Sequence, residues 1–228
     1  MNASDEATRS ASPHEYRVVT TSSYVARLWL PDRPGTLGQV AAAIGRADAD
    51  VIGIEILERG AGMAIDEVTV QLGAASTIER IVEELSSVDG VAVEDVHPVE
   101  LGRPDPGVLA LDVVSAVVSA GVGRLDVLCR GLRDLLEAEW AAVIDVDAGT
   151  IVSHDGRVPD PAWLTAFVAG TLHLPATSER TPSDVVWAPL VGTGSVIASE
   201  RTGRAFRARE RQQVERIGRV VGVLQSPS

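Results

Sequence analysis

The chain has 228 residues, 45% of them hydrophobic, with 32 acidic against 20 basic side chains and a net charge of −12. That is enough apolar material for one large core or two modest ones, and the acidity argues against nucleic acid or an anionic membrane surface as a general partner. Every basic residue is arginine, which excludes a Schiff-base lysine and a P-loop lysine, and the single Cys129 excludes an internal disulfide or a cysteine-rich metal site.

Residues 1–22 are polar, lack the apolar run of a signal peptide and are expected to form a disordered tail; no later run is long enough to span a membrane, so a cytoplasmic protein is expected. From Tyr24, "YVARLWL" alternates, with Ala26, Leu28 and Leu30 on one side and Arg27 on the other, and Pro31 ends this strand. "DRPG" is a turn fused to a helix start, after which Leu37, Val40, Ala41 and Ile44 mark one apolar helical face. "DVIGIEIL" restores a period of two, "ERGAG" turns the chain, and Val68, Val70 and Leu72 alternate with polar neighbours in a third strand. Ile78, Ile81, Val82 and Leu85 form a second helical stripe, Asp89-Gly90 ends it, and "VAVEDV" supplies a fourth strand. The order βαββαβ with right-handed crossovers predicts an α+β unit of the ferredoxin-like kind, a four-stranded antiparallel sheet with both helices on one face. The other face, with Arg27, Trp29, Gly53 and Glu55, is then left in need of cover, and a homodimer is expected.

The turn has a chemical meaning. Pro34 fixes its own φ and Gly35 removes a side chain where the backbone must approach another group, so the free N–H groups at the start of the helix form a small anion or carboxylate cradle. The element order, with "LPDRPGTLGQVAAAIG" and the following "ADADVIGIEI", resembles the ACT domain, a regulatory module that commonly binds amino acids. The resemblance implies an ACT domain over 23–100 and a ligand held where the first turn of one subunit meets the start of the second strand of another. Carried over by position, the ligand-binding residues are Asp32, Arg33, Pro34, Gly35, Thr36 and Leu37 of the turn, with Asp50, Val51, Ile52 and Gly53 of the strand. Amino-acid-binding members often carry Asn where this chain has Asp50, and a carboxylate accepts from an ammonium but donates to nothing.

"GRPDPG" sits in a connector, expected over 101–107. Beyond it "VLALDVVSAVVSA" reads as a very apolar helix, and Leu125, Leu128, Cys129, Leu132, Leu135 and Leu136 as the stripe of another, with Cys129 a buried thiol. Two strands around Asp147–Gly149, a helix with Trp163, Phe167 and Val168 inward, a hairpin "VVWAPLVGTGSVIASE" and a closing helix through Val214, Ile217 and Val221 complete the order αα, ββ, α, ββ, α. This hairpin and helix resemble the end of a GAF domain, which implies a GAF-like sensor domain over 108–225 with its sheet flanked by helices. Trp163, His173 and Trp187 read as core. Seven arginines against two glutamates between Arg201 and Arg219 read as a solvated helix face.

No catalytic, metal-binding or cofactor-anchoring pattern emerges. The four histidines have no metal-ligand spacing, and adjacent Ser153, His154 and Asp155 on a strand point to alternate faces. The expectation is a non-enzymatic sensor without cofactor or metal, acting on a protein partner. The alternatives are a dissociable regulatory subunit of an amino-acid biosynthetic enzyme and a diverged hydrolase using the second half.

Overall fold

The computed structural model describes residues 22–100, 102–171 and 182–225. The segment expected to be a disordered tail lies, but for residue 22, outside them, as does His173. The first half runs β1 (Ser23–Pro31), α1 (Thr36–Arg46), β2 (Ala49–Gly60), β3 (Met63–Leu72), α2 (Ile78–Ser86) and β4 (Ala92–Val99), in one antiparallel sheet of order β2-β3-β1-β4. This is the expected ferredoxin-like arrangement. Its core forms where the alternating Ala26, Leu28 and Leu30 of β1 and Val68 and Val70 of β3 meet the stripes Val40, Ala43 and Ile44 of α1 and Ile81 and Leu85 of α2. Thr77 starts α2 by accepting from the Arg80 amide at 3.3 Å.

The second half runs α3 (Pro106–Ser119), α4 (Arg124–Leu136), β5 (Trp140–Asp145), β6 (Thr150–Gly156), α5 (Pro161–Thr171), β7 (Val185–Leu190), β8 (Ser195–Glu200) and α6 (Ala208–Gln225). Its sheet, ordered β6-β5-β8-β7 and antiparallel, packs Ala141, Val143, Val186 and Ile197 against α3, α4 and α6. Trp140, Ile144, Trp187 and Val196 face α5 on the other side. Burial on both faces explains why β5 reads as an unbroken apolar run. Cys129 lies in this core, and burial pushes its thiol up to about 11. Asp105, inside the expected connector, already caps α3, its carboxylate accepting from the Gly107 amide at 2.7 Å.

The arginine strip differs from its sequence reading. It is only in part a solvated face: Arg209, Arg216 and Arg219 are exposed, but Arg201 and Arg211 are buried, and residues 204–210 lie on the open face of the first sheet. Arg27, on that face of β1, is 0% exposed. It holds Glu67 at 2.6 Å and Glu210 at 3.5 Å, and it donates to the Ala205 carbonyl at 2.5 Å. Glu210 in turn holds Arg201 at 2.8 Å, which ties the two sheets to one carboxylate. Arg207 lies 5.0 Å over the Trp29 ring, and its guanidinium shares the Glu94 carboxylate with the Trp29 indole N–H, each at 2.6 Å. Arg209 meets Glu55 at 2.5 Å. The face that the sequence leaves open for a second copy is therefore covered in part by the chain itself, largely with ion pairs instead of apolar side chains, while Trp29 stays 37% exposed. Such pairs are hard to read from sequence because they have no period.

Glu137 anchors the same seam. It ends α4 in the left-handed region at φ 49 and carries Arg204, Arg103 at 2.6 Å and His97 at 3.3 Å. Burial alone would raise its carboxyl, but the hydrogen bonds from His97 and Arg204 and the charges of Arg204 and Arg103 hold it well below the ordinary carboxylate range. Its stabilising contribution is thus complete above the ordinary carboxylate pKa and is lost as pH falls through the lowered one. Glu137→Gln is expected to melt below wild type at pH 7, with the gap closing in acid; a gap that is constant with pH would refute this assignment.

Candidate functional site

The turn after β1 is fixed by its own backbone. The Asp32 amide donates to the Gly62 carbonyl at 2.9 Å, which seats the turn beside the β2–β3 hairpin, and the Arg33 amide donates to Pro31 at 2.9 Å. Gly35 then enters the left-handed region at φ 93 as the N-cap of α1, a conformation that disfavours any residue with a Cβ. No side chain caps this helix and no acidic residue stands in its first turn. Asp32, Arg33, Pro34 and Gly35 are exposed, whereas Thr36 is buried with its hydroxyl donating to the Arg33 carbonyl at 3.1 Å, and Leu37 packs on the core. The result is a positive helix end presented to solvent by a rigid turn.

The strand half of the expected site lies elsewhere. Pro31 is level with Met63 and Gly60, while Asp50 is level with Gln71 and Ser23, so turn and strand start occupy opposite ends of the sheet. The length of β1 separates them by about 26 Å. Asp50 and Ile52 are exposed, Val51 packs on the core, and Gly53 faces Thr69 beside a bulge that shifts the β2–β3 register. Within one chain the ten expected residues fall into two separate groups, one at each end of the sheet.

Asp66 was not among the expected residues. It sits on the helix side of β3, opposite Leu28 and Ile56, is 1% exposed, and one of its carboxylate oxygens has no hydrogen-bond partner. Burial raises its pKa; Arg59 opposes this and Asp32 adds to it, which places the carboxyl in the field of the turn. A sequence signal existed: in "AIDEVTV" this aspartate takes an apolar position between Ala64 and Val68. With the folded pKa raised, the charged form penalises folding above it and the penalty is relieved in acid. Asp66→Asn is expected to raise the melting temperature at pH 7 by roughly 2 to 4 °C, about 1 kcal/mol, with the gain shrinking toward the ordinary aspartate range. No gain at pH 7 would show the carboxylate to be satisfied.

In the second half, Ser153 donates to Asp126 at 2.6 Å, Asp155 holds Arg133 at 2.5 Å, and His154 is exposed. Ser153 and Asp155 thus pair with a carboxylate and a guanidinium of α4, not with one another. Trp187 is buried as expected, whereas Trp163 is half exposed and stacks on Phe167 at 5.3 Å.

A family model described as the ACT domain matches residues 24–90, a span that runs from β1 through α2 and stops short of β4. No curated protein matches the chain. Among solved structures, an unknown protein from Galdieria sulphuraria is 19% identical, over 44% of this chain and 64% of that one, with a TM-score of 0.30. This chain thus spans less than two thirds of that protein's length. An uncharacterized protein from Thermotoga maritima is 16% identical, over 35% of this chain and 99% of that one, with a TM-score of 0.26. The ACT match indicates a regulatory ligand-binding role for the first half.

Proposed function

We propose that the chain is a non-enzymatic regulatory sensor whose ACT domain binds an amino acid between two copies of itself and signals by protein contact. One observation carries this reading: the half-sites lie at the two ends of β2, an edge strand with no strand paired to its outer side among the described residues. Antiparallel pairing of two such edges about a two-fold axis brings Asp50 to Gly53 of one copy beside the 32–37 turn of the other, twice. Ile52 and Ile54, exposed on that edge, give the pairing apolar contacts. The uncapped end of α1 takes the ligand carboxylate and Asp50 accepts from its ammonium. The second half, read as a GAF-like module, takes up the state of the first sheet through Arg27, Arg204, Arg207 and Arg209. A thermal-shift series with the twenty amino acids tests the reading: at least one stabilises the protein, and an unchanged melting temperature with all of them sinks it.

A further inference from the structure

Asp66 is a buried carboxylate that the fold leaves unanswered. It takes the core position between Ala64 and Val68 of β3, is 1% exposed, and its Oδ1 has no hydrogen-bond partner. Arg59 is the charge that acts on it most, yet Arg59 is exposed and turns to Asp32 at 3.9 Å. Thr36, the buried hydroxyl of the 32–37 turn, already donates to the Arg33 carbonyl at 3.1 Å. A polar group sealed in a core without a partner is rare in a native fold and points to something that the free protein lacks.

Its place is beside the ligand turn. Pro31 is level with Met63, so Asp66 stands three residues in from the end of the sheet that carries the 32–37 turn, about 10 Å along β3. Arg59 lies opposite Ala64 and therefore shares the face of Asp66. The two charges that act on the carboxylate, Arg59 and Asp32, both stand at that end, so it is aimed at the turn and at the uncapped start of α1. The edge strand β2 bulges at Leu57, between Ile56 opposite Asp66 and Glu58 opposite Ile65. A bulge breaks the ladder and bends the strand, here directly beside the carboxylate.

We infer that Asp66 selects the ligand: it receives the charged end of a long cationic side chain, so the amino acid held at the 32–37 turn is arginine or lysine. This rests on the amino-acid reading above and deepens it. There the start of α1 takes the carboxylate and Asp50 of the second copy accepts from the ammonium, which leaves Asp66, on the chain that supplies the turn, for the side chain. A carboxylate shielded from water is answered fully only by a cation. A hydroxyl leaves its charge uncompensated, an acidic side chain adds a like charge, and an apolar one leaves the oxygen without a partner. Depth argues the same way: the stem of lysine or arginine lies along Leu28 and Ile56, the neighbours of Asp66 across the sheet, and carries its charge at the tip. Entry opens the exposed Arg59–Asp32 pair, which at 3.9 Å holds the crevice only weakly.

Thermal shift at pH 7 tests this with the twenty amino acids and agmatine, which keeps the cationic arm of arginine and lacks the carboxylate, all at equal concentration and ionic strength. Arginine or lysine is expected to give the largest rise in melting temperature. Agmatine should give much less, which separates the site from the general attraction of cations to a protein of net charge −12. Asp66→Asn should melt above wild type without ligand, which reports a folded protein, and yet lose most of the arginine or lysine rise. A largest rise with an amino acid of any other class overturns the inference and leaves the amino-acid reading standing. So does an arginine or lysine rise that Asp66→Asn keeps in full, or one that agmatine equals. No rise with any of the twenty defeats that reading, and this inference with it.

Discussion

Arg27→Met is expected to lower the melting temperature by roughly 6 to 20 °C, the equivalent of the 3 to 5 kcal/mol lost when one partner of a buried ion pair is removed. Burial works against the Arg27 guanidinium, but Glu210 and Glu67 outweigh it and leave the pKa above the ordinary arginine value. Methionine fills much of the volume and keeps none of the charge. Glu67, half-buried, loses its 2.6 Å partner, Glu210 keeps Arg201 and the Arg207 amide but loses the second of its two arginines, and the Ala205 carbonyl loses the Arg27 donor. The double variant Arg27→Met/Glu67→Gln should recover part of the loss, because the uncompensated carboxylate and not the missing arginine is the larger cost. Hydrogen exchange should show amides of both β1 and α6 losing protection together, since Arg27 joins the two halves. A fall of less than about 2 °C would mean that the pairs are screened by water and that the halves are only loosely docked.

The same arginine marks the limit of what was legible in the sequence. The βαββαβ order, the α and β order of the second half, and the inward sets Ala26–Leu28–Leu30 and Leu128–Cys129–Leu132 all follow from periods of 2 and 3.6, which survive in any context. The "DRPG" turn was legible because Pro and Gly restrict the backbone locally, and Gly35 does adopt the positive φ that only glycine takes freely. Arg27, Glu94 and Glu210 carry no such local signal. Each looks like a surface charge until residues more than a hundred positions away arrive opposite it, and those partners have no period of their own. Asp66 was concealed for a related reason: one polar residue in an apolar alternation resembles noise, although at a position facing Leu28 it is the one that costs free energy. Helix α3, with Val113 and Val117 buried but Val108, Leu111 and Val118 exposed, shows the converse. Its composition was plain, but which side of an all-apolar helix stays exposed depends on where α4 and α6 pack.

The ligand itself should be visible as stability. An amino acid present at one hundred times its dissociation constant is expected to stabilise the folded protein by about 2.7 kcal/mol. For a chain of this length that is a rise in melting temperature of roughly 5 to 10 °C. Gly35→Val is a poor probe, since nothing lies within 4 Å of the position its Cβ would take, while φ +93 strains any side chain there and would destabilise the protein without ligand. Asp50→Asn is the better one. Asp50 is exposed, so the substitution should leave the ligand-free melting temperature in place, and it turns a pure acceptor into a donor and acceptor. The ranking of the twenty amino acids should therefore change while the fold does not. Ile54→Lys separates the two-copy geometry from a site within one chain: a lysine on the open edge of β2 opposes edge pairing, and it should remove the ligand-induced rise although Ile54 is not one of the ten ligand-binding residues. If Ile54→Lys keeps the full rise, the amino acid binds within a single copy; if wild type shows no rise with any of the twenty, the turn is a connector between strand and helix and the regulatory ligand is of another class.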